Sequence, residues 1–412
     1  MADESLKVEL YGDTVGYLAE DDKGNTYFEY EDTFKQKNIE ISPIKLDTKT
    51  TTVYRNNDDN FFQGLAGVFH DSLPDKFGNR IIEQYYAEKG IQKDELSLLQ
   101  KLAYIGKNGM GALEYLPNTP QENVKELLEI QKLVSEARDV INGKANIVIP
   151  ELMESGGSAG GARAKAIIAW NKKTNEIKSG RSNLTDDFEH YLFKFDGVGD
   201  NKKPADYTKV EYMYMKIAST CGLNVSNVEL FHDRDYAHLA VKRFDRVFNE
   251  KVHMHSLCGM THTNFNTPGI FSYEDYIRTV HAITKDATQV QFAILHMIFN
   301  VVTRNQDDHT KNFSFLMDKK GIWANSPVYD LTYSNGSDYT RNHQMSINGK
   351  RDNFILEDIF VVTRIFGFND DMIEKLVEFI VETFSSEVKR YGKELEIDEN
   401  KISRILSSMR TF

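Results

Sequence analysis

The stretch that decides the fold runs from Gln289 to Ser334, QVQFAILHMIFNVVTRNQDDHTKNFSFLMDKKGIWANSPVYDLTYS. An apolar helix ends in a loop dense with Asp, Asn, His and Lys. An apolar strand follows, and a second isolated Asp stands in SPVYDLT. A loop of this composition is often only a solvated turn whose side chains cap backbone groups. Two features ask for more. Asp307 precedes Asn312 by five positions, and Asp330 comes one hairpin later.

That interval is the one at which a protein kinase places the Asp that receives the substrate hydroxyl proton and the Asn that holds magnesium. Asp330 stands where a kinase places its second metal-binding carboxylate. The chemistry explains the residue types. A γ-phosphoryl group in flight spreads negative charge over its oxygens, and hard oxygen ligands with magnesium offset that charge. Of the two adjacent aspartates, the five-residue interval selects Asp307 as the base and leaves Asp308 as a supporting acceptor or loop residue.

A chain of 412 residues exceeds one ordinary core, so two or three subdomains are expected. Hydrophobic residues at 40% and charged residues at 27% describe a globular protein. The net charge of -12 argues against a surface that itself grips nucleic acid, which calls for clustered Lys and Arg. MADESLKVEL shows no secretory pattern, and the run FAILHMIFNVV, interrupted by His296 and Asn300, is too short to span a membrane. Cys221 and Cys258 form neither a zinc pattern nor a disulfide framework, which fits a reducing cytoplasm.

Alternation of apolar and polar residues predicts strands in LKVELYG, VGYLAE and TYFEYE, the last after the turn DDKGN. A helix is expected from about Asn79, after a turn at Leu73 and Pro74, and another over Asp94 to Tyr104, closed by Gly106. A polar helix is expected over residues 119–142. The segment ESGGSAGGARAKAIIAW then combines a run of glycines with a β-type apolar run. Such a loop is either a mobile linker or, fed forward by a strand, a cradle of amides for phosphate oxygens. A strand pair joined by NKKTNE follows, and then HYLFKFDG, where Lys194 stands in an apolar strand and calls for an anionic partner. Glu211, on the helix Lys209 to Cys221, is either that partner or a solvent-facing carboxylate. The run HLAVKRFDRV is expected as a strand with a charge-rich end; in a two-lobed kinase the chain would cross here behind the adenine, with backbone near Lys242 and Phe244 reading the base. Arg243 and Arg246 have Asp245 as an alternative partner. Beyond about residue 250 the patterning turns helical: YEDYIRTVHAI, ATQVQFAILHMIFNVVTRN, ILEDIFVVTRIFG, Asp370 to Tyr391 and ENKISRILSSMR.

Five segments in order, SLPDKFGNR, GGSAGGARAKA, HLAVKRFDR, NQDDHTKNFSFL and SPVYDLTYS, resemble the HipA family of bacterial toxin kinases over nearly the whole chain. The resemblance implies an α+β, two-lobed, distantly protein-kinase-like fold. Residues 1–246 would form the N-terminal lobe, with a β-rich subdomain over 1–118 and the Gly-rich loop and ATP-binding sheet over 150–246. Residues 247–412 would form the helical C-terminal lobe. It implies Asp307 as catalytic base, Asn312 and Asp330 as magnesium ligands, and Lys194 on the ATP phosphates. His309 and Lys311 would lie near the nucleotide, and Gly157, Ala159 and Gly160 in the loop over it. Ser158 matches the serine that the family autophosphorylates. Lys242 departs from the acidic residue found at this position in the family, which puts a side-chain contact to adenine in doubt.

The resemblance further implies a HipB-like helix-turn-helix antitoxin that carries most of the DNA contact, and a translation component such as an aminoacyl-tRNA synthetase as substrate. A small-molecule kinase and a catalytically silent, nucleotide-binding co-repressor are the alternatives. The joint presence of Lys194, Asp307, Asn312 and Asp330 speaks against the second.

Overall fold

The computed structural model describes residues 5–55, 61–74, 76–119, 132–134, 137, 165–180, 184–198, 206–336 and 338–412. They divide into two compact units of interleaved segments. The Gly-rich loop with Gly157, Ser158, Ala159 and Gly160 lies outside the described residues, as does most of the helix expected over 119–142.

The first unit takes in residues 1–203, 240–262 and 316–322. Its opening sheet has the strand order β4-β3-β2-β1-β5, from β1 (Ser5–Leu10), β2 (Asp13–Glu20), β3 (Thr26–Tyr30), β4 (Val53–Tyr54) and β5 (Leu113–Leu116). The alternation read from the sequence sets its inner face: Leu6, Val8 and Leu10 are buried, beside Phe28 and Phe69. Asp21 Oδ1 accepts from the amides of Lys23 and Asn25, each at 2.9 Å, and so closes the DDKGN turn. Two short helices, Gly67–His70 and Leu257–Thr261, meet at a glycine pair. A Cβ on Gly67 would come within 2.0 Å of the Gly259 carbonyl, so no other residue fits without a shift.

Some boundaries differ from expectation. The helix after Pro74 begins at Lys76. The segment expected as one helix from Asp94 is a 3-10 turn, Lys93–Glu95, and a separate helix, Leu98–Ile105. Ser97 explains the break, because its side chain accepts from the Gln100 amide at 3.1 Å and starts a new helix there.

A second sheet in this unit runs β7-β6-β8, from β6 (Lys165–Asn171), β7 (Glu176–Ser179) and β8 (Glu189–Lys194), with the β6–β7 hairpin closed by NKKTNE as expected. The end of β9 (Tyr236–Lys242) continues it, the Arg243 amide donating 2.8 Å to the His190 carbonyl. β9 stops at Lys242, short of the strand expected through RFDRV. Asp245 is the reason: its buried carboxylate binds both Arg243 and Arg246 and pulls the chain out of the ladder.

The second unit, residues 204–239, 263–315 and 323–412, carries the helices expected from the 3.6-residue pattern. They are Tyr207–Thr220, Tyr273–Thr284, Ala287–Thr303, Leu356–Ile365, Asp370–Glu394 and Glu399–Ser408. Ser272, Asp286, Asn369 and Asp398 cap four of them by accepting from a first-turn amide. The helix Ala287–Thr303 is buried from His296 to its end. Phe299 meets Phe384 of the long helix at 6.2 Å, and Tyr214 reaches the same ring at 5.2 Å. Removing a ring such as Phe384 costs about 3–5 kcal/mol. The α+β class is as the sequence implied, and among the described residues no helix is long and apolar enough to cross a membrane.

Candidate functional site

The helix Ala287–Thr303 ends at Arg304 in a left-handed conformation, φ 59°, which turns the chain sharply into NQDDHTKN. Three attachments fix that turn. The Arg304 carbonyl accepts from the Ser334 amide at 3.2 Å. Its guanidinium donates to the Ser408 carbonyl and to Asp352, each at 2.9 Å. Asn305 then folds back on the helix, its Nδ2 donating 3.0 Å to Asn300 Oδ1.

The two neighbouring aspartates part company here. The Asp307 side chain is 38% exposed, whereas Asp308 points into the core and is fully covered. Tyr273 Oη and His343 Nδ1 lie 2.7 Å from Asp308 Oδ2, and the Gln344 amide donates 2.7 Å to Oδ1. Burial pushes this carboxyl's pKa up, but His343 and the other donors outweigh it and hold it below the usual range. Asp308 is thus ionised and saturated with donors, a structural acceptor as the spacing suggested.

Asn312 closes the loop from the other side. Its Nδ2 donates 2.8 Å to the Asp307 carbonyl, which leaves Oδ1 as an oxygen ligand. His309 Nε2 lies 3.7 Å from Asp307 Oδ1, and the His309 ring packs on Phe265 at 4.8 Å. Burial lowers the His309 pKa to about 4 against the opposing charges of Asp330 and Asp308, so the imidazole is neutral at pH 7. Lys311 is buried, with its ammonium 5.8 Å over the Phe265 ring.

Asp330 is positioned by its neighbours. The Val328 amide donates 2.8 Å to the Asn224 carbonyl, and the Val328 carbonyl accepts from the Ser226 amide at 3.0 Å. Tyr329 Oη donates 2.9 Å to the Lys311 carbonyl and shares a 2.7 Å bond with Ser314 Oγ. The chain at Asp330 is therefore tied to the loop that holds Asn312. Asp330 itself sits at φ 59°, a left-handed conformation that Asp tolerates better than most residues. Among the described residues no three His, Cys, Asp or Glu side chains form a metal cage. Two protein oxygens completed by water and phosphate are what magnesium takes, and the side chains of Asn312 and Asp330 are oxygen donors of that kind.

The first unit supplies the other candidates. Lys194 is 7% exposed on β8, and directly across the antiparallel pair stands Lys165, 3% exposed. The sequence reading missed Lys165. Direct pairing across the strands puts it on the same sheet face as Lys194. Lys242 is half-buried and pairs with Glu189, while Phe244 is half-buried. Arg243 and Arg246 take the alternative partner: both bind Asp245 and reach the carbonyls of Gly109 and Gly111. In the second unit Glu211 is 2% exposed, which removes the solvent-facing alternative. Tyr273, His343 and Gln344, which hold the loop, had no sequence signal, because each lies far along the chain from Asp308.

Comparison with known proteins places this arrangement. The chain matches the HipA-like C-terminal domain over residues 157–394 and the HipA N-terminal domain over residues 6–116. It is 25% identical over 368 residues to the serine/threonine-protein kinase toxin HipA of Shewanella oneidensis, covering 80% of this chain and 75% of that protein. Y4mE of Sinorhizobium fredii is 30% identical over 134 residues, and the chain spans only 32% of that protein's length. A chain in the solved Shewanella oneidensis MR-1 complex of HipA, HipB and operator DNA superposes with a TM-score of 0.67 at 18% identity, covering 99% of this chain and 92% of that one. That last likeness is one of fold. With a family domain spanning more than half of its length, the chain belongs to the HipA family.

Proposed function

We propose that the chain is a serine/threonine protein kinase of the toxin type, transferring the ATP γ-phosphate to a protein hydroxyl, with a translation component such as an aminoacyl-tRNA synthetase as substrate class. The hydrogen bond from Asn312 to the Asp307 carbonyl carries the reading, because it joins a half-exposed carboxylate and a free amide oxygen in one turn. Asp307 takes the proton of the acceptor hydroxyl. His309, neutral at pH 7, adds no positive charge beside it to weaken the base.

Asn312 and Asp330 would hold magnesium, and Lys194, with Lys165 opposite, would meet the ATP phosphates. When bound, magnesium and ATP supply the transferred group and the positive charge that offsets it. The backbone near Lys242 and Phe244 would face adenine, and Glu211 would support the lysine. Phosphate on Ser158 adds roughly -1.5 to -2 charge to the Gly-rich loop, repels ATP and inactivates the kinase. A HipB-like antitoxin would restrain the enzyme and carry the DNA contact; the solved relative with HipB and operator DNA supports this assignment.

The test is incubation of unphosphorylated protein with magnesium and labelled ATP, beside Asp307→Ala, followed by mass spectrometry of the peptide containing Ser158. Label in the wild type alone is expected. Absence of label in protein that binds ATP would shift the reading to a small-molecule kinase or a silent co-repressor.

A further inference from the structure

Asp307 and Asp308 are adjacent in the chain, yet one faces solvent and the other is sealed in the core. The three donors to Asp308 come from two distant stretches: Tyr273 at the start of its helix, and His343 with Gln344 in the segment after Asp330. Two of these three residues are themselves held. Tyr273 Oη accepts 3.0 Å from Asn300 Nδ2. Gln344 Nε2 donates 3.1 Å to the Gln306 carbonyl and 2.9 Å to the Asn342 carbonyl. Any rotation of Asp308 would strand a carboxylate oxygen in a dry interior, so the side chain has one position. On the other side of the same residue pair, Asn312 holds the Asp307 carbonyl.

We infer that Asp308 is a positioning residue: through Tyr273, His343 and Gln344 it fixes the backbone from which Asp307 reaches its substrate. The inference rests on Asp307 being the base. Its consequence is a loss of turnover without a loss of nucleotide binding, because a displacement of ~1 Å at a reacting group costs about 100-fold in rate.

The experiment uses the full chain as wild type, Tyr273→Phe and Asp308→Asn, read by hydrogen exchange and by transfer of labelled phosphate. Tyr273→Phe removes one hydroxyl and keeps the ring, so it remains informative if Asp308→Asn does not fold. Amides 305–309 are expected to exchange roughly tenfold faster in Tyr273→Phe, with the helix Asp370–Glu394 unchanged. In the transfer assay kcat falls roughly tenfold in Tyr273→Phe and about 100-fold in Asp308→Asn, while KM for ATP stays within about threefold. Unchanged loop exchange overturns the inference, and so does acceleration spread equally over the helices, or a KM that rises with the loss of kcat. Wild-type protein that transfers nothing, but whose loop loosens in Tyr273→Phe, leaves the anchoring by Asp308 standing and removes the kinase reading instead.

Discussion

Two buried aspartates, Asp245 and Asp308, are each held by three residues and do different work. Asp245 is bound by two guanidiniums and the Gly111 amide, and both arginines go on to the carbonyls of the 109–111 loop. Burial alone would raise its pKa, but Arg243 and Arg246 hold it well below the usual range, while burial lowers Arg246 to about 10. Asp308 has no guanidinium; a phenol, an imidazole and an amide hold it. The first cluster is a neutralised weld between a strand end and a loop. The second ties Asp307, the proposed base, to the core. A charge-dense motif is therefore no sign of chemistry by itself. What distinguishes RFDR from QDDH is that the charges of RFDR find one another, whereas QDDH keeps one carboxylate outside.

The largest expected effect follows from that one carboxylate. Asp307→Ala should lower phosphate transfer by about 100- to 10,000-fold, the range for losing a general base, with ATP affinity and thermal midpoint nearly unchanged. Asp330→Ala should weaken magnesium-dependent ATP binding as well, and equal binding losses in both variants would mean that the base is misassigned. Asp245→Ala is the converse. It leaves two buried guanidiniums without their anion, and urea unfolding should register a loss of about 3–5 kcal/mol. If Asp307→Ala destabilises as much as Asp245→Ala, the contrast between weld and site disappears.

Acid should probe both units through a smaller effect. Burial lowers the pKa of His253 in the first unit to about 4 and that of His296 in the second to about 3. Each is kept neutral when folded and charges more readily when unfolded. Their contribution is therefore complete above the unfolded value of about 6.5 and is lost as pH falls toward the folded values, about 3 kcal/mol per histidine by pH 4.5. The aspartates behave differently: their depressed values keep them ionised through this window. Urea midpoints at pH 7.5, 6 and 4.5 should fall in that order, and a rise on acidification would contradict the assignment.

How much of this was legible depended on the range of the interaction. Helices and strands with clean periodicity, such as Ala287–Thr303 and β1–β3, fall where the pattern puts them, because burial of one face decides them locally. Asp307, Asn312 and Asp330 were singled out by spacing within one helix, loop and hairpin. Their supports were not, since Tyr273 and His343 are each 35 positions from Asp308. The end of β9 was misjudged for a related reason. HLAVKRFDRV reads as one strand until the carbonyls of Gly109 and Gly111 are known to be waiting for Arg243 and Arg246. The serine–histidine–aspartate contact in the first unit was equally invisible: Ser42 Oγ lies 3.0 Å from His255 Nε2, and His255 Nδ1 lies 2.7 Å from Asp71. Ser42 and His255 are fully buried, so it serves packing.

The smallest effect concerns Lys242, which borders the weld. Its ammonium pairs with Glu189, and the two side chains are 34% and 38% exposed. Water screens such a pair, so its removal should cost only about 0.2–1 kcal/mol. Glu189 also keeps a second cation, because Lys172 lies 3.9 Å away. Lys242→Ala should therefore leave the unfolding midpoint almost in place. It should leave the Kd for ATP within about threefold if only the backbone here faces adenine. A tenfold weaker Kd with unchanged stability would move the lysine side chain from the protein's own ion pairing into the nucleotide site, and the boundary between weld and site would then run through Lys242 itself.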